Sequence, residues 1–181
     1  RTQTPGGWGA PPNGGNSGAY LHANFAGAFP GGLQVGCTYK ITLTSAQAVT
    51  DFLPSGGTSR ALTGNLTNPG SSYGNTLAGH VVALKLSIGF DLYDANFGSS
   101  PNHLKDLIVV TGPFTGWTVQ QVYDEAERAL GGCSSSYSFA TLTAALTAIN
   151  QNYDNGTVTG GYLSCCVPVS LQTNSTPVSC K

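Results

Sequence analysis

Apolar side chains recur at helical spacing in three long stretches of the chain. From Asn75 onward, Leu77, Val81, Leu84 and Ile88 fall at i, i+4, i+7 and i+11 and form one continuous stripe. Val82, Ala83 and Leu86 widen it, so this helix is expected to be the most buried. In "WTVQQVYDEAERALGG" (117–132), Val119, Val122, Ala126 and Leu130 make the stripe, Thr118 caps the start and Gly131-Gly132 ends it. Asp124, Glu125, Glu127 and Arg128 take its outward face. In "SFATLTAALTAINQNY" (138–153), Ser138 is the cap and Phe139, Leu142, Leu146, Ile149 and Tyr153 face inward.

Shorter patterns fill the rest. "LQVGCTYKITL" (33–43) alternates and is rich in Val, Ile, Tyr and Thr, which predicts a strand. "TSAQAVTDFL" (44–53) predicts a short helix capped by Thr44 or Ser45 and stopped before Pro54. Residues 54–74 read as a loop punctuated by Gly-Gly and Asn-Pro. "DLIVVTG" (106–112) predicts a second strand, and "DNGTVTGGYL" (154–163) carries turn chemistry with a strand after it. The expected fold is α+β and mainly helical, with three to four core helices, a few short strands and long glycine-rich loops. No repeat at a period of about 20–50 residues is present.

Residues 1–36 break the pattern. They are dense in Gly and Pro yet carry Trp8, Tyr20, Phe25 and Phe29, which a flexible linker would lack. They are expected to form an N-terminal arm whose rings either pin it across its own domain or pack on a neighbouring copy. Residues 37–164 are then the core domain and 165–181 a cysteine-stapled tail.

Composition narrows the function. Charged residues make up 8% of 181, against about 25% in ordinary globular chains, yet mean hydropathy is only −0.02. The surface is therefore hydroxyl, amide and glycine backbone, and a net charge of −1 gives almost no self-repulsion. Seven scattered Lys and Arg exclude a nucleic-acid stripe. The longest apolar run, "VVALKLSIGF", is interrupted by Lys85 and is shorter than the roughly 18 residues a membrane span needs, so no membrane insertion is expected. No charged start precedes a hydrophobic block, so any signal peptide is expected to have been removed. Cysteine without methionine in a lysine-poor chain points to an oxidising, extracellular setting.

The five cysteines are Cys37, Cys133, Cys165, Cys166 and Cys180. Neighbouring cysteines rarely bridge each other. The scheme expected is therefore one of Cys165 and Cys166 bonded to Cys180 and the other to Cys37 or Cys133, leaving one thiol buried or bonded to another chain. Connectivity stays open.

Catalytic and metal patterns are weak. "GSSYG" (70–74) matches a nucleophile elbow at Ser72, with Asp91 or Asp94 and then His103 in triad order, but a turn stands where the elbow needs a strand. Asp91, Asp94, Asn96 and Asp106 could offer oxygens to calcium, yet the EF-hand spacing fails at Lys105. His22, His80 and His103 lie at no ligand spacing, and Cys133 lacks the helix N-terminal position that activates a thiol. No catalytic residue, metal or cofactor is expected. Trp8 and Trp117 could stack on sugars. Asn65, Asn155 and Asn174 begin glycosylation sequons.

The motifs "RTQTPGGWG" (1–9), "TLTSAQAVTDFLPSGGT" (42–58), "LAGHVVALKLSIGFD" (77–91), "GWTVQQVYDEAERALGGC" (116–133) and "LTAINQNYDNGTVTGGYL" (146–163) together resemble secreted surface proteins of Bacteroidota-like bacteria, in which such a segment stands alone or beside adhesive modules. The resemblance runs to about Cys165 and leaves out "CVPVSLQTNSTPVSCK". It implies secretion and a cell-surface or matrix role, and it transfers no catalytic residues. The expectation is a structural subunit, not an enzyme, whose partners are copies of itself in a filament, tube or layer and whose contacts run through Trp8, Tyr20, Phe25 and Phe29. The other reading is an adhesin or glycan-binding module that takes surface glycans.

Overall fold

The computed structural model describes residues 1–165. Along the chain lie α1 (Pro5–Trp8), α2 (Ser17–Ala28), β1 (Leu33–Gly36), β2 (Lys40–Leu43), α3 (Ala46–Phe52), β3 (Leu66–Thr67), α4 (Thr76–Tyr93), a 3-10 turn (Leu104–Asp106), β4 (Ile108–Val109), α5 (Val119–Leu130), α6 (Phe139–Asn152) and β5 (Leu163–Ser164). The fold is α+β and mainly helical, with two small sheets ordered β1-β2-β3 and β4-β5.

The central helix α4 packs against α1 and α2, and also against α5 and α6. Its wide apolar stripe accounts for this: Leu77, Val81, Val82, Ala83, Leu84, Leu86 and Phe90 are all fully buried. Asn75 caps it by accepting from the Ala78 amide (3.3 Å). At α5 the Thr118 hydroxyl accepts from the Gln121 amide (3.1 Å), while the Gln121 side chain accepts from the Thr118 amide (2.8 Å). Two of the orphan donors at that helix start are thereby satisfied. Ser45 and Ser138 cap α3 and α6 by accepting from the Ala48 and Thr141 amides (3.1 Å each).

The stretch 33–43 is a hairpin and not one strand. The antiparallel register pairs Leu33 with Leu43 and Val35 with Ile41, so alternation continues across the turn and all four residues face the core. Gly36, at φ 122°, makes the turn possible. The second predicted strand shrinks to β4, because residues 104–106 coil into the 3-10 turn. Its partner β5 realises the strand expected after Asn155.

Residues 1–36 pack on their own domain, the first of the two expected arrangements. They supply α1, α2 and β1, and they place Trp8, Leu21, Phe25, Leu33 and Val35 in the core. The first residues also tie to the distant turn after α6. The Thr2 amide donates to the Tyr153 carbonyl (3.0 Å), the Asn155 amide to the Thr2 carbonyl (3.1 Å), and the Tyr153 amide to the Thr2 hydroxyl (3.0 Å). Because a guanidinium only donates, the fully buried Gln3 turns its amide oxygen to Arg1 Nη2 (2.9 Å) and its nitrogen to Asp154 Oδ1 (3.2 Å) and Asn155 Oδ1 (3.1 Å).

One bridge joins Cys37 to Cys133, which corrects the pairing of either with the tail. Packing explains it. The Tyr39 amide donates to the Gly131 carbonyl (2.9 Å), and a Cβ at Gly131 would collide with the Cys37 backbone. The hairpin tip is thus pressed against the end of α5, where Cys133 follows. Cys165 is also disulfide-bonded. Cys166 and Cys180 lie outside the described residues, as do Asn174 and the rest of the expected tail.

A polar seam joins α4 to α6. His80 Nε2 meets the Thr147 hydroxyl (3.2 Å), and the Asn150 amide nitrogen donates to His80 Nδ1 (3.3 Å) and to the His80 carbonyl (3.1 Å). Burial disfavours the imidazolium and lowers the His80 pKa from 6.5 to about 4. A proton is therefore taken up by the unfolded chain before the folded one, so stability falls as pH drops from 6.5 toward 4. The expected loss across that window is about 3 kcal/mol. Urea titrations at successive pH values should show this slope in the native sequence and a flatter one in His80→Gln, whatever the variant's absolute stability. Equal slopes would refute it.

Candidate interaction surface

The four rings expected to contact other copies form one aromatic cluster inside the chain. Trp8 is fully buried, donates from Nε1 to the Ser87 hydroxyl (3.3 Å), and lies against Phe90 (5.2 Å between centroids) and Phe97 (6.0 Å). Tyr20 meets Phe90 edge-on (5.2 Å), Phe25 touches Phe29 (5.3 Å), and Phe29 meets Phe90 edge-on (5.5 Å). A Cβ at Gly89 would occupy the space of the Phe29 ring, so this α4 glycine admits α2. Burying ring surface within the chain outweighs holding it for a partner. Trp8 and Phe25 are core, while Tyr20 and Phe29 are half-buried against it and keep part of their surface outside.

Sugar stacking by Trp8 is excluded by its burial. Trp117 is half-buried, edge-on to Phe114 (5.3 Å) and Tyr137 (5.8 Å).

The residues of the hydrolase pattern are held apart. Ser72 lies in the exposed turn before α4, and Asp91 lies 15 residues beyond Thr76, near the far end of that helix. At about 1.5 Å per residue, roughly 22 Å of helix separates the two ends. Among the described residues no hydrogen bond joins Ser72 to Asp91 or His103. His103 does pair with Asp91 (Nδ1 to Oδ2, 3.1 Å).

The oxygens weighed for calcium are engaged one by one. Asp91 Oδ2 also accepts from the Leu104 amide (2.9 Å), and Asp106 pairs with Lys105 (2.8 Å). Asp94 accepts from the Tyr20 hydroxyl (2.7 Å) and the Asn96 amide (2.8 Å), and these bonds lower its pKa. Burial, then the Asp94 bond, raises that of Tyr20. Among the described residues no three His, Cys, Asp or Glu side chains gather as metal ligands. His22 bonds to the Thr50 hydroxyl (3.0 Å), away from the other two histidines.

What the fold does assemble is a charge-free exterior on two helices. No Asp, Glu, Lys or Arg occurs from Thr2 to Tyr39, or again from Ala129 to Tyr153. The first stretch contains α2, whose exposed side carries Ala23, Ala26 and Gly27, followed by Pro30. Beside Gly27 stands Tyr93, and with Leu92 it is among the most exposed large apolar side chains, at 51% each. A shallow groove of about 220 Å³ between α2 and the start of α3 continues this face. The second stretch contains α6, exposing Ala140, Ala144 and Gln151. The two helices seat on different parts of α4: α2 through Gly89, Phe90 and Tyr93, α6 through His80. Charge collects elsewhere, on α5 with Asp124 and Arg128 exposed.

Sequence reading attributed cohesion to rings and missed these faces. The signal was available in the two uncharged runs, but their seating on different parts of α4 is a tertiary fact. Among the described residues no helix is long and apolar enough to cross a membrane. Comparison of the chain with protein-family models, curated proteins and solved structures finds no match.

Proposed function

We propose that the chain is an extracellular structural subunit that coheres with copies of itself into a filament, tube or surface layer. The observation that carries this reading is the pair of charge-free helix faces, α2 with Leu92 and Tyr93 on one side and α6 on another. Contact between such faces desolvates few ions, the Asp94 carboxylate bonded to Tyr20 being the nearest, and ion desolvation is the largest cost an interface of charged surface would meet. Because the faces differ, α2 of one copy against α6 of the next is a heterologous contact, which propagates into a filament wherever the rotation between copies does not close a ring. Near-zero net charge leaves little repulsion to oppose growth. The Cys37–Cys133 bridge belongs in an oxidising compartment, and the resemblance to secreted bacterial surface proteins agrees with that setting.

Placing a charge on each face tests this. Ala26→Glu and Ala144→Glu both alter exposed positions and should leave the circular dichroism spectrum unchanged. Each is expected to raise the concentration needed for assembly by roughly tenfold or more, an ion buried at a contact costing well over the 1.4 kcal/mol that tenfold represents. Sedimentation of both variants at wild-type size and concentration dependence would overturn the proposal.

A further inference from the structure

A cleft of about 320 Å³ opens at the far end of α4, independent of the two uncharged faces. Leu104 and Leu107, both nearly buried, line it together with Tyr153, while Asp91, Ser99 and Asn102 supply polar groups. The volume sits at the small end of ligand sites, about 300–1,000 Å³, and suits one ring better than a chain.

Asp91 is held in place. Its Oδ2 takes the Leu104 amide (2.9 Å) and His103 Nδ1 (3.1 Å), and its side chain is only 11% exposed. Among the described residues Oδ1 takes no hydrogen bond. A fixed carboxylate oxygen is a strong acceptor for a hydroxyl. Asn102 and Ser99 are exposed beside it and can both donate and accept. The Tyr153 hydroxyl is directed to the Leu163 carbonyl (3.5 Å).

The lining discriminates between ligand classes. Arg1 lines the same cleft and its α-amino group faces Asp91, so the two charges offset each other and the wall favours neither a net anion nor a net cation. A wholly apolar ligand would strip water from Asp91, Ser99 and Asn102 without replacing their hydrogen bonds. A ring with hydroxyls along its edge and C–H groups on its face satisfies both parts of the wall.

We propose that this cleft binds one neutral pyranose residue, with the Asp91 carboxylate and Asn102 amide taking ring hydroxyls and Tyr153, Leu104 and Leu107 receiving the C–H face. The site does not depend on assembly, so an unassembled protein could still bind sugar and an assembled one could fail to.

Saturation-transfer NMR observes the ligand and tolerates assemblies of any size. The probes are the methyl pyranosides of glucose, galactose, mannose and N-acetylglucosamine, added to the full chain. At least one is expected to bind saturably, with affinity reduced roughly tenfold in Asp91→Asn. Because Asp91 also supports the 103–104 backbone, Ser99→Trp is the second variant: it fills the mouth from an exposed position and should abolish binding with an unchanged melting temperature. Failure of all four sugars to bind overturns the proposal, as does binding that survives Ser99→Trp.

Discussion

Trp8→Ala is expected to destabilise the protein by about 3–5 kcal/mol, the cost of removing a large buried aromatic, although the residue lies in a stretch that reads as a Gly/Pro-rich N-terminal arm. Its indole is fully buried, packs against Phe90 and Phe97, and supplies the hydrogen bond to Ser87. Truncation would leave a cavity at the junction of α1, α2 and α4 that the surrounding rings could fill only partly. Removing residues 1–32 altogether goes further, because it exposes the Phe90 side of α4 and cuts the ties of Thr2 and Gln3 to residues 153–155. Against a total stability of about 5–15 kcal/mol, the deletion is expected to leave no cooperative unfolding transition. The urea midpoint measures the first effect, and loss of the transition shows the second. A truncated chain with intact helical signal and a sharp transition would restore the arm.

The second large effect belongs to the Cys37–Cys133 bridge. It closes a loop spanning 96 residues, which by loop-closure entropy corresponds to about 4–5 kcal/mol. It also fastens the hairpin tip to the end of α5, where the Tyr39 amide and the Gly131 carbonyl meet (2.9 Å) and the Gly36 amide reaches Glu127 Oε1 (3.3 Å). The double variant Cys37→Ser, Cys133→Ser should therefore lose most of that energy in urea denaturation, with hydrogen exchange accelerated first at residues 36–40 and 131–133. A loss below about 1 kcal/mol would show that native packing alone holds the tip, against the loop-closure estimate. A dependence of this size favours an oxidising compartment.

How much of this was legible depended on which residues carried the signal. The helices α4, α5 and α6 declare themselves by apolar spacing, and α5 and α6 also by Thr118 and Ser138, whose caps are made as expected; Asn75 caps α4 as well. Helix α2 was hidden by Gly18 and Gly27, which argue against helix by propensity. Both glycines are packing devices: a Cβ at Gly18 would strike the Ala10 carbonyl, and one at Gly27 the Tyr93 hydroxyl. The readable signs were Asn16, which caps the helix by accepting from the Ala19 amide (2.8 Å), and the i, i+4 pair Leu21 and Phe25. The hairpin was hidden by its own register, since an in-phase turn leaves alternation unbroken. β3 has two residues and pairs in parallel with β2, a contact no local pattern encodes.

The interaction surface divides the same way. Lack of charge is a property of composition and was visible at once; which helices present it, and that they seat on different parts of α4, comes from packing. Of the rings expected to drive cohesion, Trp8 and Phe25 are buried and Tyr20 and Phe29 partly so, and the proposal therefore rests on the uncharged faces outside.

Sedimentation velocity of the unaltered, oxidised protein over a range of concentration and salt tests this most directly. Contacts without ions are not screened by salt, so the account predicts large species that persist, or grow, as ionic strength rises. A single monomeric boundary at every concentration, or assemblies that dissolve as salt is added, would contradict it.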